Sequence, residues 1–326
     1  MSALGHGALY GAVLIAVMLS TVAVGIWFER KFAGRMQSRL GPTIVGPMGL
    51  LQPLADVVKL LQKEDIIPAG ADRALFNLAP VLATIFSLGV AAVLPLSPHM
   101  IAADLDIGVV YMLAIGGLMV VPTFMAGWAS NNKFALLGGM RAVAQSISYG
   151  VPLVLAVLVP VILSGSLSLA GIVRWQSEHH WFALWPVIPG LPAFALYFMA
   201  MLAEANRIPF DIPEAESELV AGVTTEYTGA KFTLFYLAEY VHTLVGSAIG
   251  AALFFGGWDG PFAPGLHWMV AKTLALFVVV YWVRWTLLRL RSDQLMELCW
   301  KWLTPIGVAL VLIAAAWVQF APQGAL

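Results

Sequence analysis

Glu204, Asp211, Glu214, Glu216, Glu218 and Glu226 crowd the stretch 204–231, which offers only Arg207 and Lys231 as cations. Carboxylates packed this closely repel one another when ionised, so some should hold a proton near neutral pH and be able to exchange it. Part of the cluster has a plainer explanation. Asp211-Ile212-Pro213-Glu214 reads as an N-cap, a first-turn proline and a capping-box acid, and acids in a first turn suit the helix dipole. That leaves Glu204, Glu216 and Glu218 to be explained either by proton handling or by a solvated acidic face. Glu239 lies inside the apolar run Phe232–Gly256. A charge near a bilayer centre costs about 2.5–3.5 kcal/mol, so this side chain must be protonated, paired or facing water. His242, one turn further on the same face, is either a satisfied core residue or a partner in a relay.

The elements that position these groups are membrane helices. Of 326 residues, 60% are hydrophobic and only 11% charged, against about 25% charged in soluble domains. The net charge of −1 gives no reason to expect nucleic acid, and a single cysteine, Cys299, excludes an internal disulfide or a cysteine-rich metal or iron–sulfur site. Eight stretches are expected to cross a hydrocarbon core: 7–28, 74–94, 107–127, 149–164, 184–203, 233–256, 266–288 and 303–320. The fourth is short and has room to start earlier, within 134–148. No Lys or Arg precedes the first stretch, so it is expected to be a retained helix.

Fifteen of the 17 Lys and Arg fall after the odd-numbered stretches, which places those loops in the cytoplasm and both termini outside. The expected organisation is one all-α polytopic domain, 1–326, with large inner loops 29–73, 128–149, 204–231 and 284–302. Lys272 then sits near an outer helix end, where snorkelling to the interface would suffice.

The other inner loops are patterned too. After turns at Gly41-Pro42 and Gly46-Pro47, a helix is expected from Met48 to Lys63, with Gln52, Asp56, Lys59 and Lys63 on one polar stripe. It reads as a surface amphipathic helix or a seam facing a cavity or partner, with Asp56 and Lys59 close enough to pair. In 128–149, Arg141, Gln145 and Ser148 share a face. No phosphate-binding glycine loop, paired-cysteine spacing or nucleophilic triad occurs. His179-His180 are adjacent and point to different faces, so no metal site and no catalytic residue within this chain is expected.

These segments together resemble the H subunit of NADH:quinone oxidoreductase, respiratory complex I. The resemblance rests on Glu29-Arg30-Lys31 with the Gly-Pro repeats through Gln52-Pro53, Ala55-Asp56 and Lys63-Glu64-Asp65. It continues through Ala103–Gly108 and Gly127–Lys133 to Ala203-Glu204-Ala205-Asn206-Arg207, Pro209-Phe210-Asp211 and Pro213–Leu219. Glu226-Tyr227, Glu239-Tyr240, Phe255–Trp258 and Arg289 to Met296 complete it, so that it spans essentially the whole chain.

The resemblance implies a subunit at the junction of a membrane arm and a peripheral arm in a cell inner membrane. Glu29, Arg30, Gln37, Arg39, Arg207, Pro209, Phe210 and Asp211 would line or support a quinone chamber. Glu204, Glu214, Glu216, Glu218, Glu226 and Glu239 would form an acidic path from that chamber into the membrane. Asp56, Lys59, Lys63, Arg141, Arg291 and Asp293 would serve as structural or interface charges. Quinone would be the substrate, with FMN and iron–sulfur clusters carried by partner subunits. Two departures stand out. Ser148-Tyr149-Gly150 replaces the family's usual Ser-Tyr-Glu, and Gly41-Pro42-Thr43-Ile44-Val45-Gly46 lacks the usual Asn-Arg. The competing readings are the related anchor of a membrane-bound hydrogenase and an independent proton-coupled transporter.

Overall fold

Asp72 and Asn132 each start a long helix by accepting hydrogen bonds from first-turn amides, Asp72 from Ala74 and Leu75 and Asn132 from Phe134. The structure, a computed structural model, describes residues 3–98, 100–184 and 189–320, with side chains from residue 11 onward except at Glu216 and Ser217. Its helices are α1 (Ala3–Met36), α2 (Gln52–Gln62), α3 (Arg73–Val90), α4 (Gly108–Gly117), α5 (Val120–Ala129), α6 (Lys133–Ser164) and α7 (Leu169–Glu178). There follow α8 (Gly190–Glu204), α9 (Glu216–Leu219), α10 (Gly229–Phe254), α11 (Leu266–Thr286), α12 (Ser292–Glu297) and α13 (Thr304–Phe320). A small antiparallel hairpin joins β1 (Pro95–Ser97) to β2 (Met100–Ile101).

Seven helical spans among the described residues are long and apolar enough to cross a membrane; α4 with α5, and α12 with α13, each count as one. The remaining expected stretch, the fifth (184–203), coincides with α8, a shorter apolar helix of 15 residues. The chain is an all-α, multi-pass membrane protein.

α10 sits at the centre. Every residue from Tyr240 to Phe254 is buried, so this helix is enclosed on all sides and has no polar face to separate from an apolar one. It packs on α3, α11 and α8, while α6 packs on α5, α8 and α13.

Three expectations need correction. The segment 128–149 is not a separate inner loop beyond Asn132: the fourth stretch starts early, as its shortness left room for, and α6 runs unbroken for 32 residues from Lys133. At 1.5 Å per residue that is about 48 Å, against about 30 Å of hydrocarbon, so about a third of the helix has no hydrocarbon to cross. The polar face of Arg141, Gln145 and Ser148 belongs to its N-terminal half. The helix expected from Met48 is α2, which starts only at Gln52 behind a short turn at Pro47–Gly49. No capping box forms at Asp211: the chain stays irregular to Ala215, and only the four residues of α9 and a short 3-10 turn at Gly222–Thr224 are helical before α10. Gly222 in this region adopts φ +54, and a Cβ there would lie 1.8 Å from the Pro213 carbonyl. That contact folds the chain back on itself instead of extending a helix.

The charged loops sort into two ends. At one end, Arg30 pairs with Asp56, Lys231 with Asp65 at 2.9 Å and Arg141 with Glu218 at 2.5 Å, and Asn132 donates to Glu226 at 2.6 Å. These contacts join the loops after α1, α5, α8 and the start of α10. At the other end Ser168 donates to Asp104, Trp181 donates to Asp259, and Lys272 donates to the carbonyls of Phe255, Gly257 and Asp259. Lys272 therefore does not snorkel. Its ammonium locks the turn after α10 and lies 3.8 Å from the Trp181 ring centroid.

Candidate functional site

A seam of buried charge crosses the bundle just inside the first of these ends. Arg207, 1% exposed, places Nη1 3.0 Å from Glu239 Oε1 on α10. Its Nε donates to Thr243 at 3.1 Å, and its guanidinium lies 4.1 Å from the Tyr240 ring centroid. Tyr240 in turn donates to Glu29 Oε2 on α1 at 2.6 Å, and Glu29 Oε1 pairs with Arg284 Nη1 on α11 at 2.8 Å. Two acids and two guanidiniums thus alternate around one tyrosine. Desolvated charges persist only when paired this closely, because the cost of stripping their water is otherwise several kcal/mol per ion.

Beside the seam lies a cavity of about 50 Å³ whose polar lining includes Glu204, Asn206, Glu214, Thr224, Glu239 and His242. A second, of about 20 Å³, is lined by Glu204 and His242 together with Tyr197, Gly116 and apolar residues up to Ile249. Only Glu204 and His242 border both. Spaces of these sizes suit a few waters and one water respectively, since a single water needs roughly 10–15 Å³ on this measure. Glu204 Oε2 lies 3.7 Å from His242 Nε2. Its other oxygen sits so close to Gly116 that a Cβ there would approach it to 2.6 Å.

The irregular segment 205–215 is held against this site by α6. Gln145 Nε2 lies within 2.7–3.1 Å of the Ala203 and Phe210 carbonyls and Asn206 Oδ1. Burial, reinforced by the Glu239 charge, raises Asp211 to about 6 despite Arg284, Arg289 and Arg207 nearby. Burial pushes Glu214 well above the usual carboxylate range, and Glu239 and Asp211 push it in the same direction. Both acids therefore respond to the charge state of their neighbours.

The structure brings together Glu204, Glu214 and Glu239 around one cavity, and Glu29 with Arg207 in the seam. Phe210 is buried in the core, and Pro209 holds the Leu290 amide through its carbonyl at 2.9 Å. Other expected site residues lie apart. Gln37 and Arg39 are exposed and bond to each other at 2.8 Å. Glu218 is exposed beside Arg141 and Arg289, which hold its carboxyl below the usual range. Glu226 bonds Asn132 outside both cavities. The Glu216 side chain lies outside the described residues.

Asp56 pairs with Arg30 and accepts from Gln52 at 3.1 Å, not with Lys59 as the spacing suggested. The reason is that Arg30, on α1, reaches it across the packed pair of helices. Lys59 and Lys63 stay exposed on α2 and at its end. Arg291 caps α12 and Asp293 sits in its first turn. Tyr240, Thr243 and Arg284 were not foreseen as partners. Their only signal in the sequence is a hydroxyl or cation within an otherwise apolar helix.

The sequence pattern of the NADH dehydrogenase family matches residues 9–315. The chain belongs to that family. It is 46% identical over 318 residues to the NADH-quinone oxidoreductase H subunit of Dehalococcoides mccartyi (strain CBDB1), covering 98% of this chain and 88% of the relative. It is 47% identical to the protein of the same name from Anaeromyxobacter dehalogenans (strain 2CP-C), over 94% of this chain and 81% of that one. The Brevibacillus brevis protein of that name is also 47% identical, covering 94% and 91%. These relatives are subunits of an enzyme complex, which agrees with the resemblance carried by the motifs at 29–65 and 203–219.

Proposed function

We propose that this chain is the membrane subunit of a proton-translocating NADH:quinone oxidoreductase, forming the membrane-side part of the quinone chamber and coupling quinone reduction to proton movement. The single observation that carries this reading is the grouping of Glu204, Glu214 and Glu239 around one cavity directly beside the Arg207–Glu239 pair. Glu29, Arg30, Gln37, Arg39, Arg207, Pro209, Phe210 and Asp211 line or support the chamber; FMN, iron–sulfur clusters and the NADH site belong to partner subunits of the peripheral arm. Loops carrying most of the Lys and Arg face the cytoplasm, and both termini face outward.

In this mechanism, a quinone headgroup held above the membrane changes charge as it is reduced. Asp211 and Glu214 answer first, because each is already poised by burial and by its neighbours. A change at either alters the balance of the Arg207–Glu239 pair, and the disturbance reaches Glu204 through the shared cavity. Moving one charge against 100 mV costs about 2.3 kcal/mol, and a pKa change of one unit is worth about 1.4 kcal/mol. Shifts of a few units therefore match the work required.

The test uses Glu216→Gln and Glu239→Gln in the whole complex, measuring proton uptake per quinone reduced in inverted membrane vesicles. Assembly with loss of pumping is expected; normal assembly with full pumping in both variants would defeat the reading.

A further inference from the structure

His242 is 6% exposed and borders both cavities. Its Nε2 faces Glu204, while its buried Nδ1 has no hydrogen-bond partner among the described residues. A buried ring nitrogen without a partner carries a desolvation cost that packing alone does not offset. The geometry offers a two-ended proton carrier: an acid 3.7 Å from one nitrogen, a gap that a small approach or one bridging water closes, and a second nitrogen without a partner on a ring that borders two water-sized spaces. Among the described residues, no titratable side chain other than Glu204 and His242 borders both spaces. α3, α4 and α5 contribute apolar residues, Gly116 and Thr123, and α6 contributes Leu153. The other titratable groups sharing the two spaces are Glu204, Glu214, Glu239 and Tyr197. The Tyr197 hydroxyl is committed to the Gly246 carbonyl at 2.8 Å.

We propose that His242 is the proton-transfer residue that carries protons from the acidic cavity into the deeper one; this rests on the functional reading above. The Glu204 O–H bond breaks as Nε2 takes the proton, leaving a carboxylate beside an imidazolium. The Nδ1–H bond then breaks and its proton passes to a water molecule in the deeper space, leaving a neutral ring. The ring is left as the Nε2–H tautomer and accepts the next proton once exchange with water has returned it to the Nδ1–H form. On α10 the second space is lined by His242, Val245, Gly246 and Ile249, and the first by Phe235, Ala238, Glu239 and His242. The step therefore moves the proton along α10, from the turn of Glu239 toward that of Val245.

The experiment compares the wild-type complex with His242→Gln and Glu204→Gln in inverted membrane vesicles, following NADH-driven quinone reduction and proton uptake in H2O and D2O. Glutamine keeps bulk and hydrogen bonding but cannot relay a proton. His242→Gln is expected to slow coupled turnover by about a hundredfold and to raise the solvent isotope effect, because proton transfer becomes rate-limiting. A merely structural role would leave the isotope effect unchanged. If Glu204→Gln loses pumping while His242→Gln keeps both rate and isotope effect, the proposal falls and the functional reading stands. If both variants pump fully, the functional reading itself falls. Should His242→Gln not assemble, the smaller His242→Asn takes its place, and failure of both to assemble overturns the proposal in favour of a packing role.

Discussion

The seam and the rim of the same end use the same chemistry in opposite settings. Arg207–Glu239 and Arg284–Glu29 lie within the bundle, where only Arg284 and Glu239 retain appreciable exposure, 25% and 20%. Arg141–Glu218 lies at the rim, with 31% and 41% of its side chains exposed. Water screens the rim pair and leaves little net gain from its formation, typically about 0–1 kcal/mol. In the seam, removing one partner strands a charge that is largely withdrawn from bulk water, which costs more than the loss of a screened pair. The difference teaches that the ion pairs of this protein cannot be ranked by distance, since the rim pair is the shorter of the two kinds.

The largest effect should come from Arg207→Met, which leaves Glu239 without its counter-ion. A loss of about 3–5 kcal/mol is expected, read as a lowered thermal midpoint of the assembled complex. A shift no larger than that of a rim variant would erase the distinction. Glu29→Gln is expected to cost about 2 kcal/mol, since it keeps a hydrogen bond from Tyr240 but leaves Arg284 unpaired; the same melting measurement checks it.

Asp211 sharpens the comparison through pH. Its folded value of about 6 lies above its ordinary one, near 3.9. The folded state therefore holds this proton more tightly, and stability falls as pH rises through the interval between those two values, then levels off above it. Asp211→Asn should flatten that slope in melting curves taken from acid to neutral pH; an unchanged slope would assign the dependence elsewhere. The smallest effect belongs to Arg141→Ala, below about 1 kcal/mol, with a strong dependence of even that on salt.

Much of the fold was legible because long apolar runs leave few choices, and α3, α10 and α11 lie where those runs lie. The start of α6 was legible only as room for the fourth stretch to begin earlier. Arg141, Gln145 and Ser148 look like the face of an interfacial helix, and the oxygens that satisfy Gln145 come from Ala203, Asn206 and Phe210, far along the chain. The site was legible in its residue types but not in its pairings. Glu239 inside an apolar helix demanded a partner, yet nothing local distinguished Arg207 from the chain's other cations. The Asp211-Ile212-Pro213-Glu214 pattern misled because a helix start is a local signal. Contact between Gly222 and Pro213 overrides it.

The two halves of the seam differ in when they can exist. Arg207 and Glu239 lie on either side of one loop, so a ribosome delivers both before α11 has been made. Glu29 waits for Arg284, which arrives near the end of synthesis. α10, enclosed along Tyr240–Phe254 and carrying a carboxylate, thus has its cation available in the chain before α11 and α13 exist. The Glu29–Arg284 pair, by contrast, ties the first helix to one of the last, so the two halves of the seam span very different lengths of chain.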